Sequence, residues 1–289
     1  MAFLFYFGFM NRICLNGKML RADRPALIHS NRGFRYGDAL FETMKVLDGE
    51  IILAKYHFER LFSGLQLLQF KRISSLSRKK ISGLIAELCS QNQCSDRGRV
   101  RLTVFRGNGS LNDKEENLQY LIEAGSLPPS AIKFNEKGFH IGLYPDAQKS
   151  CDVFSNLKSA NYLPYVMAAH FAKKNKQNDC LICNVKGQIA DATIANIFLV
   201  KERMIITPAL SEGCVNGVMR RYLLDQLKRS KKFEIREGVV TINDLKDFDE
   251  VFLTNAIYGI RWVRQFENTV YHNSQTVSIY KEFIEPLHS

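Results

Sequence analysis

The sequence predicts a mixed α/β and α+β chain folded as two domains. Three observations predict it. The 289 residues, 46% of them hydrophobic, suffice for two modest cores. Short apolar runs closed by Asn-Gly and Asp-Gly pairs alternate with segments of helical period. The stretch Ser126-Leu127-Pro128-Pro129-Ser130 is a stiff connector, because paired prolines hold an extended chain. The domains therefore read as residues 1–125 and 131–289, with 126–130 as linker.

In chain order, Met10 to Leu20 reads as a hairpin, because Asn16-Gly17 suits two residues at positive φ. Asn31 to Asp38 is rich in turn residues and reads as a loop. Phe41–Val46 and Glu50–Leu53 form a second hairpin around Asp48-Gly49. Lys55–Phe70 and Lys79–Gln91 are helices. Phe58, Leu61, Phe62 and Leu65 form the apolar stripe of the first, which leaves Arg60 on the opposite side. Gly98–Phe105 is a strand with Val100, Leu102 and Val104 on one face and Arg101 on the other, followed by a strand at Leu118–Glu123. Past the linker, Gly138–Tyr144 is a strand and Ser159–Lys174 a helix that Ser159 caps. Cys180–Val185 pairs with Gln188–Asp191, and Ala195–Val200 with Met204–Thr207. Val218–Lys228 and Val277–Ile284 are helical, and Glu250–Thr254 is a strand.

The chain is basic, +11 at neutral pH. Its basic runs, such as Arg78-Lys79-Lys80 and Lys231-Lys232, sit on helix faces without interleaved aromatics. That pattern is solvated surface, and a single-strand-binding groove needs aromatic stacking platforms. No nucleic-acid partner is expected. The field suits an anionic small molecule. Seven cysteines, an odd number without framework spacing, fit a reducing compartment. Cys180 and Cys183 lie three apart on a strand, so they face opposite ways and cannot share a metal. No metal site is expected. Met1–Met10 is apolar but too short to span a bilayer, and it lacks a leading positive charge and a small-residue cleavage site. The expectation is a cytoplasmic protein without a membrane partner, with residues 1–9 a dispensable extension.

Three stretches carry candidate chemistry. Leu157-Lys158-Ser159-Ala160-Asn161-Tyr162-Leu163 places a lysine at a predicted helix start, where the macrodipole disfavours an ammonium. Asp191-Ala192-Thr193-Ile194-Ala195-Asn196-Ile197-Phe198 places an acid at a strand end. Gly213-Cys214-Val215-Asn216-Gly217-Val218-Met219-Arg220 opens a helix on glycine, which lets an anion approach backbone N–H groups. His57-Phe58-Glu59-Arg60 and Thr254-Asn255-Ala256 accompany them.

Together these motifs resemble the fold-type-IV pyridoxal-phosphate (PLP) enzymes, from about Asn11 to Phe266. That family holds branched-chain and D-amino-acid aminotransferases and 4-amino-4-deoxychorismate lyase. The resemblance implies that Lys158 binds the cofactor covalently and then transfers protons. It implies that Asp191, where the family carries Glu, holds the ring nitrogen protonated. By the same resemblance Arg60, Gly217, Val218, Met219, Asn255 and Ala256 meet the phosphate, with Tyr162 beside the cofactor. Arg101 and Arg106 are the substrate carboxylate candidates, and Tyr36 and Phe41 the pocket walls. The family also implies a homodimer acting on a small amino substrate. Val215–Arg220 and Asn255-Ala256-Ile257-Tyr258-Gly259-Ile260 are nearer the lyase pattern, which would release pyruvate and 4-aminobenzoate. Phe41-Glu42-Thr43 and Lys158–Tyr162 suit a branched-chain or D-amino-acid transaminase using 2-oxoglutarate equally well.

Overall fold

The computed structural model describes residues 11–71, 73–113 and 118–288. They divide into two units. One holds the chain up to Ala131 together with Lys158–Asn161, and the other holds Ile132–Leu157 and the residues from Tyr162 onward.

The first unit is built on one antiparallel sheet. Strands β1 (Arg12–Leu15) and β2 (Lys18–Arg21) form the first hairpin, with Asn16 at φ 51° and Gly17 at φ 86° in its turn. Helix α1 (Arg32–Tyr36) stands where a loop was expected. Asn31 caps it by accepting from the Phe34 N–H, and Gly37 closes it in the left-handed region. Strands β3 (Ala39–Leu47) and β4 (Glu50–Ile51) turn through Asp48 and Gly49. Helices α2 (Ala54–Leu67) and α3 (Arg78–Gln91) follow, α3 capped by Ser77, whose hydroxyl accepts from the Lys80 N–H. Strands β5 (Arg97–Arg106) and β6 (Leu118–Ser126) complete the sheet, ordered β2-β1-β6-β5-β3-β4.

Alternation along β3 and β5 sorts the side chains. Leu40, Glu42, Met44 and Val46 share a face with Val100, Leu102 and Val104, and all are buried. Phe41 and Thr43 share the other face with Arg101 and Thr103. The buried side of α2 is His57, Phe58, Arg60, Leu61, Gly64 and Leu65. This corrects the sequence reading of Arg60 as lying away from the packed stripe. The stripe is centred on His57, Leu61 and Gly64, and Glu42 on the facing strand supplies the charge that brings Arg60 inside.

The second unit is built on a mixed sheet. Its elements are β7 (Phe139–Leu143), α4 (Leu163–Lys174), β8 (Asp179–Cys183), β9 (Ile189–Ala192), β10 (Asn196–Lys201) and β11 (Met204–Pro208). Then come α5 (Val218–Ser230), β12 (Glu234–Gly238), α6 (Asp244–Asp247), β13 (Glu250–Asn255), β14 (Gly259–Phe266), β15 (Thr269–Val270) and α7 (Ser274–Ile279). A π-helical turn over Tyr280–Ile284 prolongs α7. The strand order is β12-β11-β10-β13-β14-β7-β8-β9, with β15 on β14. The Ala192 N–H donates to the Ala195 carbonyl, so the end of β9 meets the start of β10 and the sheet curls.

Inside the curl, Leu181, Cys183, Ala192, Ile197, Leu199, Leu253 and Val263 form one core. Outside it, Cys180 and Ile182 pack with Tyr165, Ala168 and Ala172 of α4. Cys180 and Cys183 thus fall in different cores, as their odd spacing requires.

Helix α4 corrects two expectations. It begins at Leu163, not Ser159, because Pro164 occupies its first turn, where a missing N–H is harmless. Ser159 instead bridges Leu40, the Phe41 N–H donates to the Lys158 carbonyl, and the Ala160 N–H donates to the Ala39 carbonyl. Lys158 groups with the first unit, several residues before α4 begins at Leu163. The expected N-terminal extension lies outside the described residues.

Candidate active site

The candidate residues fall in both units, and each set is built within its own.

In the first unit, β3 carries the candidate Phe41 on one face and Glu42 on the other. Phe41 is buried, and two cations lie over its ring: the Lys158 ammonium at 4.5 Å and the Arg101 guanidinium at 3.8 Å from the centroid. Such contacts favour a cation over the ring face. Arg101 and Lys158, far apart in sequence, thereby share one aromatic platform.

Glu42, on the other face, is 1% exposed and meets two side chains of α2. Arg60 donates through Nε to Oε1 at 2.8 Å and through Nη2 to Oε2 at 2.5 Å, a side-on fork. His57 Nδ1 lies 2.6 Å from Oε2. Burial pushes the Glu42 carboxyl upward, but the Arg60 charge and the His57 contact overcome it and hold the group at about 2. Burial lowers the His57 value, with Arg60 and Lys158 adding to the depression against Glu42. The imidazole is therefore neutral, donating from Nδ1, and its buried Nε2 has no partner among the described residues. Glu42 is a site residue that sequence reasoning missed. Only its position opposite the His57 and Arg60 helical pair could have disclosed it.

Arg106 is not aimed as expected. Its fork donates to Asp38 Oδ1 at 2.6 Å and to the Leu68 carbonyl, and its plane stacks on Phe70. Arg32 pairs with Asp38 Oδ2 at 3.0 Å. Asp38 thus ties both arginines into the wall of the loop. Tyr36, at the end of α1, is exposed.

In the second unit, Asp191 leaves β9 on the face shared with Ile182, toward α4. It is 2% exposed and takes four donors. Lys149 Nζ, Tyr165 Oη and the Val215 N–H all reach Oδ2 at 2.9 Å. Asn196 Nδ2 reaches Oδ1, also at 2.9 Å. Burial and then the Asp191 charge raise the Tyr165 phenol well above its usual range and push the Cys214 thiol up to about 12, so both stay protonated. Tyr162 packs against Tyr165 with tilted rings 4.5 Å apart and donates to the Thr193 carbonyl at 3.0 Å.

Asn196 joins this acid to the start of α5. Its amide also donates to the Val215 carbonyl at 2.8 Å, and its Cα pairs with Thr254 across β13. Gly217, the N-cap of α5, has no room for a Cβ, which would collide with Asn196 Oδ1. No side chain caps that helix. Its first N–H groups, on Val218 and Met219, therefore remain available to an anion. The buried Thr254 hydroxyl has no partner among the described residues. Asn255 shapes the following turn by accepting from Ile257 and Tyr258 N–H groups at 3.1 and 2.8 Å, around Ala256. An uncapped helix start, a glycine cradle and an orphaned hydroxyl fit a phosphate group. The acid fits a protonated ring nitrogen, since Oδ1 accepts one bond and can accept a second.

Among the described residues no cluster of His, Cys, Asp and Glu suits a metal ion, and no helix is long and apolar enough to cross a membrane.

The family model described as Amino-transferase class IV matches residues 39–266. Two similar proteins bear different activities in their names. A Methanocaldococcus jannaschii protein, named for branched-chain-amino-acid aminotransferase activity, is 27% identical over 95% of this chain and 94% of its own length. The aminodeoxychorismate lyase of Bacillus subtilis is 26% identical over 86% of this chain and 84% of its own. The fold matches the crystal structure of the Thermobaculum terrenum branched-chain amino acid aminotransferase in its PLP form. There the TM-score is 0.84 at 16% identity, over 96% of this chain and 94% of that one.

Proposed function

This chain belongs to the class IV aminotransferase family of PLP-dependent enzymes, and on that premise we propose that it is a 4-amino-4-deoxychorismate lyase. It would convert its substrate into 4-aminobenzoate and pyruvate. The observation that carries this reading is the stretch Val215-Asn216-Gly217-Val218-Met219-Arg220. It opens α5 on glycine with no side-chain cap, which supports an anion-receiving role for the first backbone N–H groups. The resemblance of this stretch and of Asn255–Ile260 to the lyase pattern supports it, as does the similarity to the Bacillus subtilis lyase.

When bound, the cofactor supplies an electron sink for the bond broken beside the substrate nitrogen. Lys158 is the proposed attachment residue, and its Nζ takes the proton from the amine-bearing ring carbon. Asp191 holds a proton on the cofactor's ring nitrogen, fixed by Asn196, Tyr165 and the Val215 N–H. The N–H groups of Val218 and Met219, with Thr254, receive the phosphate. Arg60 is proposed for the same anion, with its plane set by Glu42. Arg101 binds a substrate carboxylate from its place over Phe41. Arg106 braces the neighbouring loop through Asp38. As the ring proton goes to Lys158, the adjacent C–O bond breaks. The ring becomes aromatic, and the enolpyruvyl group leaves and takes up a proton as pyruvate.

A second reading, transamination of a branched-chain or D-amino acid with 2-oxoglutarate, is favoured by the match to the Methanocaldococcus jannaschii protein. The two differ in their need for an acceptor, so product analysis with and without an oxo acid tests them. A homodimer, a cytoplasmic location and a place in folate-precursor synthesis complete the proposal.

A further inference from the structure

Lys149 has no place in the sequence motifs, yet it pairs directly with the acid. Its backbone is pinned beside the end of β8. Its N–H donates to the Cys183 carbonyl and its own carbonyl accepts from the Val185 N–H, both at 2.9 Å. Its ammonium is almost fully buried and lies 2.9 Å from Asp191 Oδ2. It also sits 5.0 Å from the centre of the Tyr165 ring. A buried ammonium is costly unless paired, and a neutral donor in its place would satisfy the hydrogen bond without bringing a charge inside.

Two consequences follow from this placement. Oδ2 already takes three donors and Oδ1 only one, so a fifth partner of the acid can be received only at Oδ1, beside Asn196. The pair Lys149–Asp191 also presents nearly zero net charge, so a third charge nearby feels a dipole in place of a bare carboxylate. Among the described residues, the other titratable groups around the acid are Tyr165 and Cys214, both held neutral, with Tyr162 behind Tyr165. Arg220, whose charge bears on Cys214, is paired with Glu237 at 2.9 Å. Lys149 is thus the cation in direct contact with Asp191.

We propose that Lys149 is a positioning residue that directs Asp191 to offer Oδ1 and weakens its hold on the proton of the cofactor's ring nitrogen. This rests on the reading that Asp191 meets that nitrogen. Asp is one methylene shorter than the family's Glu, and Lys149 further moderates the acid that remains.

The test follows the ring nitrogen itself. Holoenzyme is prepared with PLP labelled with 15N in the ring, and the 15N shift is recorded across pH for wild type, Lys149→Met, Lys149→Arg, Tyr165→Phe and Asp191→Asn. Lys149→Met is expected to keep the nitrogen protonated to a pH at least one unit higher, about a tenfold change in its acid constant. Lys149→Arg retains the charge and titrates with wild type. Tyr165→Phe removes a donor from the same oxygen without changing charge, and it leaves the titration near wild type. Should Lys149→Met not fold, Lys149→Gln makes the same comparison. Coincident wild-type and Lys149→Met titrations overturn the proposal, as does a Tyr165→Phe shift as large as that of Lys149→Met. Asp191→Asn separates the layers. Loss of the protonated signal supports the underlying reading, and an unchanged signal overturns both.

Discussion

Asn196 and Gly217 are packed so closely that the amide oxygen of one occupies the space where a side chain on the other would begin. The same amide holds Asp191 Oδ1 and the Val215 carbonyl, so crowding at the start of α5 passes directly to the acid. Gly217→Ala is expected to displace Asn196 and to cost about 1–3 kcal/mol, the usual range for overpacking a tight site. PLP affinity should fall at least about tenfold with it. Thermal unfolding of the apoprotein and a PLP titration measure the two effects. Wild-type values in both would show that the contact relaxes freely.

Glu42 anchors Arg60 and His57 from the opposite side of the sheet from Lys158. Glu42→Gln leaves the Arg60 charge buried without its counter-charge, an expected loss of about 3–5 kcal/mol. The pH dependence has a definite sign. The folded-state value of Glu42 is depressed from 4.5 to about 2, so the wild type loses this contribution as pH falls from 4.5 toward 2. His57 is also depressed, so its contribution starts to fade as pH drops below its usual 6.5. Chemical denaturation between pH 8 and 3 should show the wild-type advantage over Glu42→Gln shrinking in acid. A constant difference would contradict the assignment.

These two clusters mark how far the sequence could be read. Local chemistry was legible wherever a turn is set by a few neighbours. Asn16-Gly17 and Asp48-Gly49 turn as expected. The helices α2 and α3 were legible as helices, although the buried face of α2 was read without His57 and Arg60. The start of α4 was misplaced because Ser159 looks like a cap, whereas Pro164 sets the first turn and Ser159 pairs with Leu40. Strand β14 escaped notice because its buried run carries Arg261 and Trp262 without clean alternation. The site residues were legible as family motifs, but their partners were not. Glu42 and Arg60 lie 18 residues apart, and Lys149 and Asp191 lie 42 apart. Such pairs exist only once strands and helices have packed, and no local period announces them.

Asp191 tests the fit of the shorter acid. Its carboxylate is buried among four donors, so Asp191→Glu must push a methylene into Lys149 and Tyr165. A stability loss of about 1–3 kcal/mol is expected even though Glu is the family residue. Asp191→Asn keeps the volume and cuts turnover sharply while PLP still attaches. Denaturation of both variants and steady-state rates distinguish these effects, and a fully active Asp191→Asn enzyme would remove the acid from the account.

Lys158 should be the attachment residue among the chain's many lysines. After borohydride reduction and peptide mapping, the cofactor is expected on the peptide containing Lys158, and Lys158→Ala should lose the near-visible absorbance of bound PLP. Cofactor fixed on Lys149 would exchange the two assignments.

The proposed lyase activity is tested most directly by product stoichiometry without an amino acceptor. Purified protein loaded with PLP is given aminodeoxychorismate, with no oxo acid present. The prediction is 4-aminobenzoate and pyruvate in equal amounts over many turnovers, because a lyase returns the cofactor unchanged after each cycle. Arg101→Ala should slow that reaction at limiting substrate while leaving PLP binding intact. Untouched aminodeoxychorismate, alongside repeated turnover of leucine or D-alanine that requires 2-oxoglutarate, would contradict it and make the protein a transaminase.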